Sequence, residues 1–114
     1  MIKLVVLIVR NPDLTPQQFR NYWEEIHVPL IRERLPGLVK YTGGFAVDAP
    51  GVVDPVNVLD GYDAVVELGF PDLETMQRDM TSPEFLADER GASSAALMVV
   101  SKTRAMVVDE LDLS

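Results

Sequence analysis

The sequence predicts an α+β domain of the ferredoxin-like class, in which a four-stranded antiparallel sheet carries its helices on one face. Three observations predict it. The elements follow the order β-α-β-β-α-β, the 114 residues suffice for one domain spanning 1–114, and the first and third strands are apolar on both sides. Two helices cover only one sheet face. We therefore expect the other face to bury against a second copy of the chain, as a homodimer.

The first two elements carry clear local signals. Residues 2–10 (IKLVVLIVR) form a short β-branched run that ends at NPD and predicts a strand. The next segment opens as a helix, because Thr15 can cap it, Pro16 suits the first helical position and Gln18 completes a capping box. Apolar residues at helical spacing predict one buried stripe on this helix: Phe19, Tyr22, Trp23, Ile26 and Leu30.

The rest of the chain alternates between short apolar runs and turn or capping signals. These patterns predict a strand over 38–48 with a bulge at Gly43–Gly44, a loop over 48–60, a strand over 62–70, a helix over 71–80, a capped helical stretch from Ser82 to Gly91, and a last strand over 96–111. The predicted second helical region and the first helix would share one face of the sheet.

Composition excludes several classes of function. The net charge is −8 with only 10 Lys and Arg, which argues against a nucleic-acid partner and against an anionic membrane surface. The chain has no cysteine and one histidine, so a metal site is not expected. No phosphate-binding glycine motif occurs, so no nucleotide cofactor is expected either. Without a signal peptide or an apolar run long enough to span a membrane, the expected location is cytoplasmic.

His27 is the predicted catalytic residue. It lies at the edge of the apolar stripe, two residues before Pro29, which removes one helical hydrogen bond and can bend the helix over 25–29. A bend there would leave room for a pocket, with His27 as a general acid or base. The alternative is a half-buried histidine bonded to a backbone carbonyl, and the residues alone leave both open.

Four further side chains are predicted to bind substrate. Trp23 stands beside His27 and would wall the pocket, whereas Tyr41, Tyr62 and Glu67 lie on predicted strands. Each has a structural alternative. The tyrosines would be ordinary strand aromatics, and Glu67 would form a salt bridge with Lys102 or Arg104 on the last strand.

Two blocks of sequence resemble the EthD family of the dimeric α/β-barrel superfamily. The first is FRNYWEEIHVPLIRERLPGLVKY, and the second is GYDAVVELGFPDLETMQRDMTSPEFLADE. The resemblance implies a homodimer whose two sheets pack into a barrel. It places His27 in a matching block, and relatives in the wider superfamily include cofactor-free monooxygenases, polyketide cyclases, isomerases and haem-degrading enzymes.

The resemblance also implies a class of substrate, a small apolar oxygenated molecule of aromatic or polyketide type. By the family label the reaction would be an oxidation of monooxygenase type. The alternatives are a polyketide dehydratase, decarboxylase or cyclase, a non-catalytic ligand-binding accessory protein, and a haem-binding protein. The sequence does not choose among them.

Overall fold

The computed structural model describes residues 1–114 and confirms the predicted fold class. Its strands are β1 (Ile2–Ile8), β2 (Lys40–Phe45), β3 (Ala64–Phe70) and β4 (Arg104–Asp109). All neighbours are antiparallel, in the order β2-β3-β1-β4. The helices are α1 (Pro16–Tyr22), α2 (Val28–Arg34), α3 (Leu73–Met80) and α4 (Asp88–Leu97), with short 3-10 turns at Pro55–Asn57 and Val100–Lys102. No helix has the length and apolar character needed to cross a membrane.

A π-helical turn, Trp23–His27, joins α1 to α2 into one interrupted helix. α1 begins with the predicted capping box, in which the Thr15 hydroxyl and the Gln18 side chain satisfy each other's backbone N–H groups. In the π turn the Val28 N–H donates to the Trp23 carbonyl, five residues back. Pro29 has no N–H to donate. The predicted bend over 25–29 is therefore a wider helical turn placed just before the proline.

The π turn changes which side of the helix is buried. The buried residues are Phe19, Trp23, His27 and Ile31, whereas Ile26 is 49% exposed and Leu30 is only half-buried. The predicted stripe is therefore wrong at Ile26 and Leu30. The physical reason is the longer i→i+5 turn, which shifts the helical phase after Trp23.

Three predicted boundaries in the second half of the chain were wrong. Ser82 caps only a turn, in which its hydroxyl accepts the Phe85 N–H at 3.1 Å. α4 begins later and continues through Gly91 to Leu97, because the ASSAAL segment has enough helix propensity to carry one glycine. The last strand is consequently confined to Arg104–Asp109.

The second strand is regular, without the bulge predicted at Gly43–Gly44. The two glycines pair with Val66 and Val65 in an unbroken ladder. Gly43 lies under the helix, where a Cβ would be 4.0 Å from Cζ2 of Trp23, an ordinary van der Waals contact that does not require a glycine.

The two faces of the sheet differ in what covers them. Alternate residues of β1 and β3, such as Leu4, Val6 and Val66, pack under the helices with the core. Residues on the opposite face have no helix over them, and Val65 and Met106 there are 38% and 64% exposed. Lys3 on the same face is only 3% exposed, beside Glu67 and Glu110. Val5, Leu7 and Val108 share this uncovered face by register. The chain thus presents an apolar strip of sheet that none of its helices covers.

Candidate functional site

A cavity of about 160 Å³ lies between the helix layer and the sheet, beside the π turn. Its walls are mostly apolar side chains of β1, β3, α2 and the chain around α4. A few polar or amphipathic groups converge on it: Trp23, His27, Tyr41, Arg90 and Ser94. An apolar hollow with a small number of convergent polar groups is the usual form of a small-molecule site.

His27 is fixed on the wall of this cavity by the π turn and by α4. Only 5% of the residue is exposed. Its Nδ1 lies 2.9 Å from Oγ of Ser93, which is also buried. The ring stands edge-on to Trp23, with 6.1 Å between ring centroids. The ring therefore has one polar partner within the protein, at Nδ1, and Nε2 has no hydrogen-bond partner there.

The surroundings of His27 keep its ring neutral. Burial lowers the pKa of His27, and the positive charge of Arg90 lowers it further, to about 4. At neutral pH the imidazole therefore has one N–H donor and one acceptor nitrogen. The predicted alternative of a histidine bonded to a backbone carbonyl does not hold, because its partner is the Ser93 hydroxyl.

An aromatic cluster holds Trp23 in place next to His27. The Trp23 ring packs edge-on against Phe19 at 5.4 Å and against Phe45 at 5.6 Å, measured between centroids. Tyr41 of β2 contacts the same cavity from the sheet side. Burial raises the pKa of Tyr41 to about 12, so its phenol stays protonated and can donate a hydrogen bond. Trp23, His27 and Tyr41 thus meet at one cavity.

Glu67 and Tyr62 lie elsewhere. Glu67 points to the uncovered face of the sheet, where it lies 3.7 Å from Nζ of Lys3. Lys3 is held also by Glu110, whose hydrogen bond raises the pKa of the lysine. A salt bridge at Glu67 was one expectation, but its partner is on β1 rather than on β4. Tyr62 borders a separate apolar hollow of about 240 Å³ with Leu7, Leu59 and others.

Sequence reasoning missed three polar residues at this site, namely Arg90, Ser93 and Ser94. The two serines were missed because the predicted helix stopped at Gly91 and left them without an assigned face, whereas Arg90 lay inside the predicted stretch and was not singled out. The available signal was the ASSAAL composition, which continues the helix and puts Ser93 and Leu97 on its buried side. No three His, Asp or Glu side chains come together as a metal-binding cluster.

Comparisons with known proteins place this chain in a family. The family model described as EthD domain matches residues 11–92. Curated proteins give no match. An EthD family protein from Bacillus halodurans has a similar structure, with 22% identity and a TM-score of 0.71, covering 97% of this chain and 99% of that one.

Two similar structures are enzymes by description. A hydroxynitrile lyase from Passiflora edulis has 16% identity and a TM-score of 0.68, over 97% of this chain and 95% of the other. SnoaB, a cofactor-independent oxygenase from Streptomyces nogalater, has 15% identity and a TM-score of 0.64, over 97% and 93%. Proteins from Bacteroides fragilis and Jannaschia that are described as dimeric and ferredoxin-like share the fold as well. At these identities the likeness shows the fold, and the family model, which matches well over half of the residues, shows that the chain belongs to the EthD domain family.

Proposed function

We propose that this chain is a small enzyme that binds a small, apolar, oxygenated molecule in the cavity beside the π turn. His27 is the proton-transfer residue, and neither a metal nor a nucleotide takes part. The observation that carries the proposal is a buried, neutral His27 that is held at Nδ1 and lines an apolar cavity. The fold shared with an oxygenase and a lyase supports enzymatic use of this scaffold.

The size of the cavity limits the ligand. Its volume of about 160 Å³ is below the ~300–1,000 Å³ of most ligand pockets. An apolar cavity of ~150 Å³ is large enough for benzene. A single-ring molecule therefore fits better than a multi-ring polyketide or a porphyrin.

The polar groups of the site suit an oxygen atom on which negative charge develops. Tyr41 stays protonated and Arg90 is cationic, so both can stabilise a phenolate or enolate oxygen next to the neutral His27. An oxidation and an elimination can both begin from such an anion. We assign oxidation of monooxygenase type as the first candidate, in line with the cofactor-independent oxygenase of the same fold, and lyase chemistry as the second, in line with the hydroxynitrile lyase of the same fold.

The uncovered face of the sheet supports a homodimer. Its apolar strip includes Met106 at 64% exposure, and a second copy of the strip would cover it. The dimeric ferredoxin-like proteins of the same fold support this assembly. Pairing through this face leaves the cavity of each chain free, because the cavity lies on the helix side of the sheet.

The experiment begins with ligand binding, for which the chain has one convenient fluorescent reporter. Trp23 is the only tryptophan and lines the cavity, so its fluorescence reports occupancy. A panel of single-ring phenols, quinones and aromatic ketones is titrated into the protein and then incubated aerobically, with products analysed by mass spectrometry. We expect at least one member to change the Trp23 emission and to be converted.

A matched pair of variants locates the ligand. Tyr41→Phe should weaken binding, whereas Tyr62→Phe removes the same hydroxyl from a different hollow and should not. The opposite result would move the ligand to the hollow beside Tyr62. With a converted ligand, His27→Ala and His27→Gln should each lower turnover by roughly 10²–10⁴-fold while the chain stays folded. Binding without any conversion would identify a ligand-binding protein and refute the proposed catalysis.

A further inference from the structure

The hydroxyl of Ser93 lies between two other polar side chains in the helix layer. Its Oγ is 2.9 Å from Nδ1 of His27, and it accepts the Tyr22 hydroxyl proton at 3.4 Å. Ser93 itself is 5% exposed, whereas Tyr22 is half-buried. The three groups form a short chain of hydrogen bonds that runs from the outer part of the helix layer to the cavity.

We infer that Ser93 is a positioning residue which donates its proton to Nδ1 of His27, so that the ring carries its own proton on Nε2. A serine hydroxyl has one proton and can accept from other donors. With Tyr22 donating to Oγ, the Ser93 proton has the Nδ1 lone pair as its acceptor, and all three groups are satisfied.

The other tautomer leaves the buried Ser93 proton with a poor acceptor. If Nδ1 carried the proton, Oγ would accept it, and the Ser93 proton would have only the Tyr22 oxygen, whose separation of 3.4 Å is long for an O–H···O bond. No hydrogen bond from Ser93 to a backbone carbonyl competes for that proton. Buried polar groups without a partner are rare in proteins because they are costly. The arrangement therefore selects the Nε2–H form.

The consequence is that His27 offers a donor to the cavity. Resting on the proposed function, we further infer that Nε2 gives its proton to an oxygen of the ligand, as a carbonyl or oxyanion would accept it. As that N–H bond breaks and the ligand O–H bond forms, Nδ1 takes the Ser93 proton, Ser93 takes the Tyr22 proton, and Tyr22 takes a proton from water, which leaves as hydroxide. The ring is neutral before and after the step, which suits a histidine that is hard to charge.

The tautomer can be measured directly because His27 is the only histidine of the chain. Protein labelled with ¹⁵N-histidine gives the signals of one ring. At pH 7 and without ligand, we expect Nδ1 to show the shift of an unprotonated acceptor and Nε2 the shift of a protonated nitrogen. A protonated Nδ1 in the wild-type protein would overturn the inference.

Variants test whether Ser93 selects the tautomer. Ser93→Ala should move both nitrogen signals toward a mixture of tautomers, and Ser93→Thr, which keeps a hydroxyl, should restore them. Ser101→Ala is the control, since Ser101 is an exposed serine outside the cavity and without a bond to the ring. If Ser93→Ala does not fold, Ser93→Cys serves instead, because a thiol of similar size is a much weaker donor to Nδ1 and should raise the fraction of the Nδ1–H form. Signals that stay at the wild-type positions in the folded variant would refute the role of Ser93.

This experiment separates the inference from the proposed function. The tautomer is read without ligand and without turnover. If the ring has the expected tautomer but no ligand is converted, only the proposed catalysis fails. If ligands are converted and Nδ1 is protonated, the proposed function stands and the positioning role of Ser93 falls.

Discussion

The charge state of His27 links the candidate site to the stability of the whole chain. Burial and the nearby Arg90 lower the pKa of His27 from 6.5 to about 4 in the folded protein, whereas in the unfolded chain the ring titrates normally. Between these values the unfolded chain binds more protons than the folded one. The free energy of unfolding therefore rises with pH across this window. The contribution of His27 to it is fully present above pH 6.5 and is lost as the pH falls toward 4.

The size of the effect follows from the two pKa values. A shift of one pKa unit corresponds to ~1.4 kcal/mol, so the full shift corresponds to about 3 kcal/mol. At pH 5 most of the window has been crossed, and about 2 kcal/mol of that stability should already be gone. This pH stays above the isoelectric point of 4.4, where the net charge vanishes and precipitation is promoted.

The assay compares the wild-type chain with His27→Gln. The two chains share all 18 Asp and Glu residues, so acid effects on those carboxylates largely cancel in the difference. Urea unfolding at pH 7 and at pH 5 gives the free energy of unfolding of each chain. The wild-type protein should lose about 2 kcal/mol more than the variant between these two pH values.

A difference between the two chains that stays constant from pH 7 to pH 5 would refute this reasoning. A ring that titrates near 6.5 by NMR in the folded protein would refute it as well, because it would mean that the ring is solvated. Arg90→Met separates the two causes. It removes the nearby charge but leaves the ring buried, so the pKa of His27 should rise while staying below 6.5.

Three further perturbations have defined outcomes. Pro29→Ala restores a backbone N–H on an exposed residue, so a regular helix should compete with the π turn. The melting temperature should hold or rise while the ¹⁵N signals of His27 change, whereas a large loss of stability with unchanged signals would assign the proline to packing. Gly37→Ala should lower the free energy of unfolding by about 1–3 kcal/mol, since a Cβ would lie 2.3 Å from Cγ2 of Thr75. In Gly91→Ala the new Cβ meets nothing within 4 Å, so the free energy of unfolding should stay the same or rise, and equal effects of the two changes would contradict the packing argument. Light scattering should give twice the 12.7 kDa chain mass for the wild type, and a wild-type monomer would refute the dimer. Met106→Glu puts a charge on the uncovered face and should give a smaller mass.

The sequence by itself determined the features that depend on near neighbours in the chain. Short apolar runs bounded by turn signals predicted the four strands, and the Thr15 capping box predicted the start of the first helix. The proline at 29 predicted an irregular helix next to His27. These signals are local because hydrogen bonds within a turn and side chains three or four residues apart decide them.

Only the tertiary structure decided which side chains meet. The π turn could have been a kink, and its extra residue is what buries Ile31 and exposes Ile26. Ser93 reaches His27 across 66 positions of sequence, and Glu67 pairs with Lys3 because of the register between β1 and β3. Contacts of this kind come from the packing of distant elements on one another, and no periodicity in the sequence predicts them. The polar surroundings of His27, and with them its protonation state, were therefore decided by the fold.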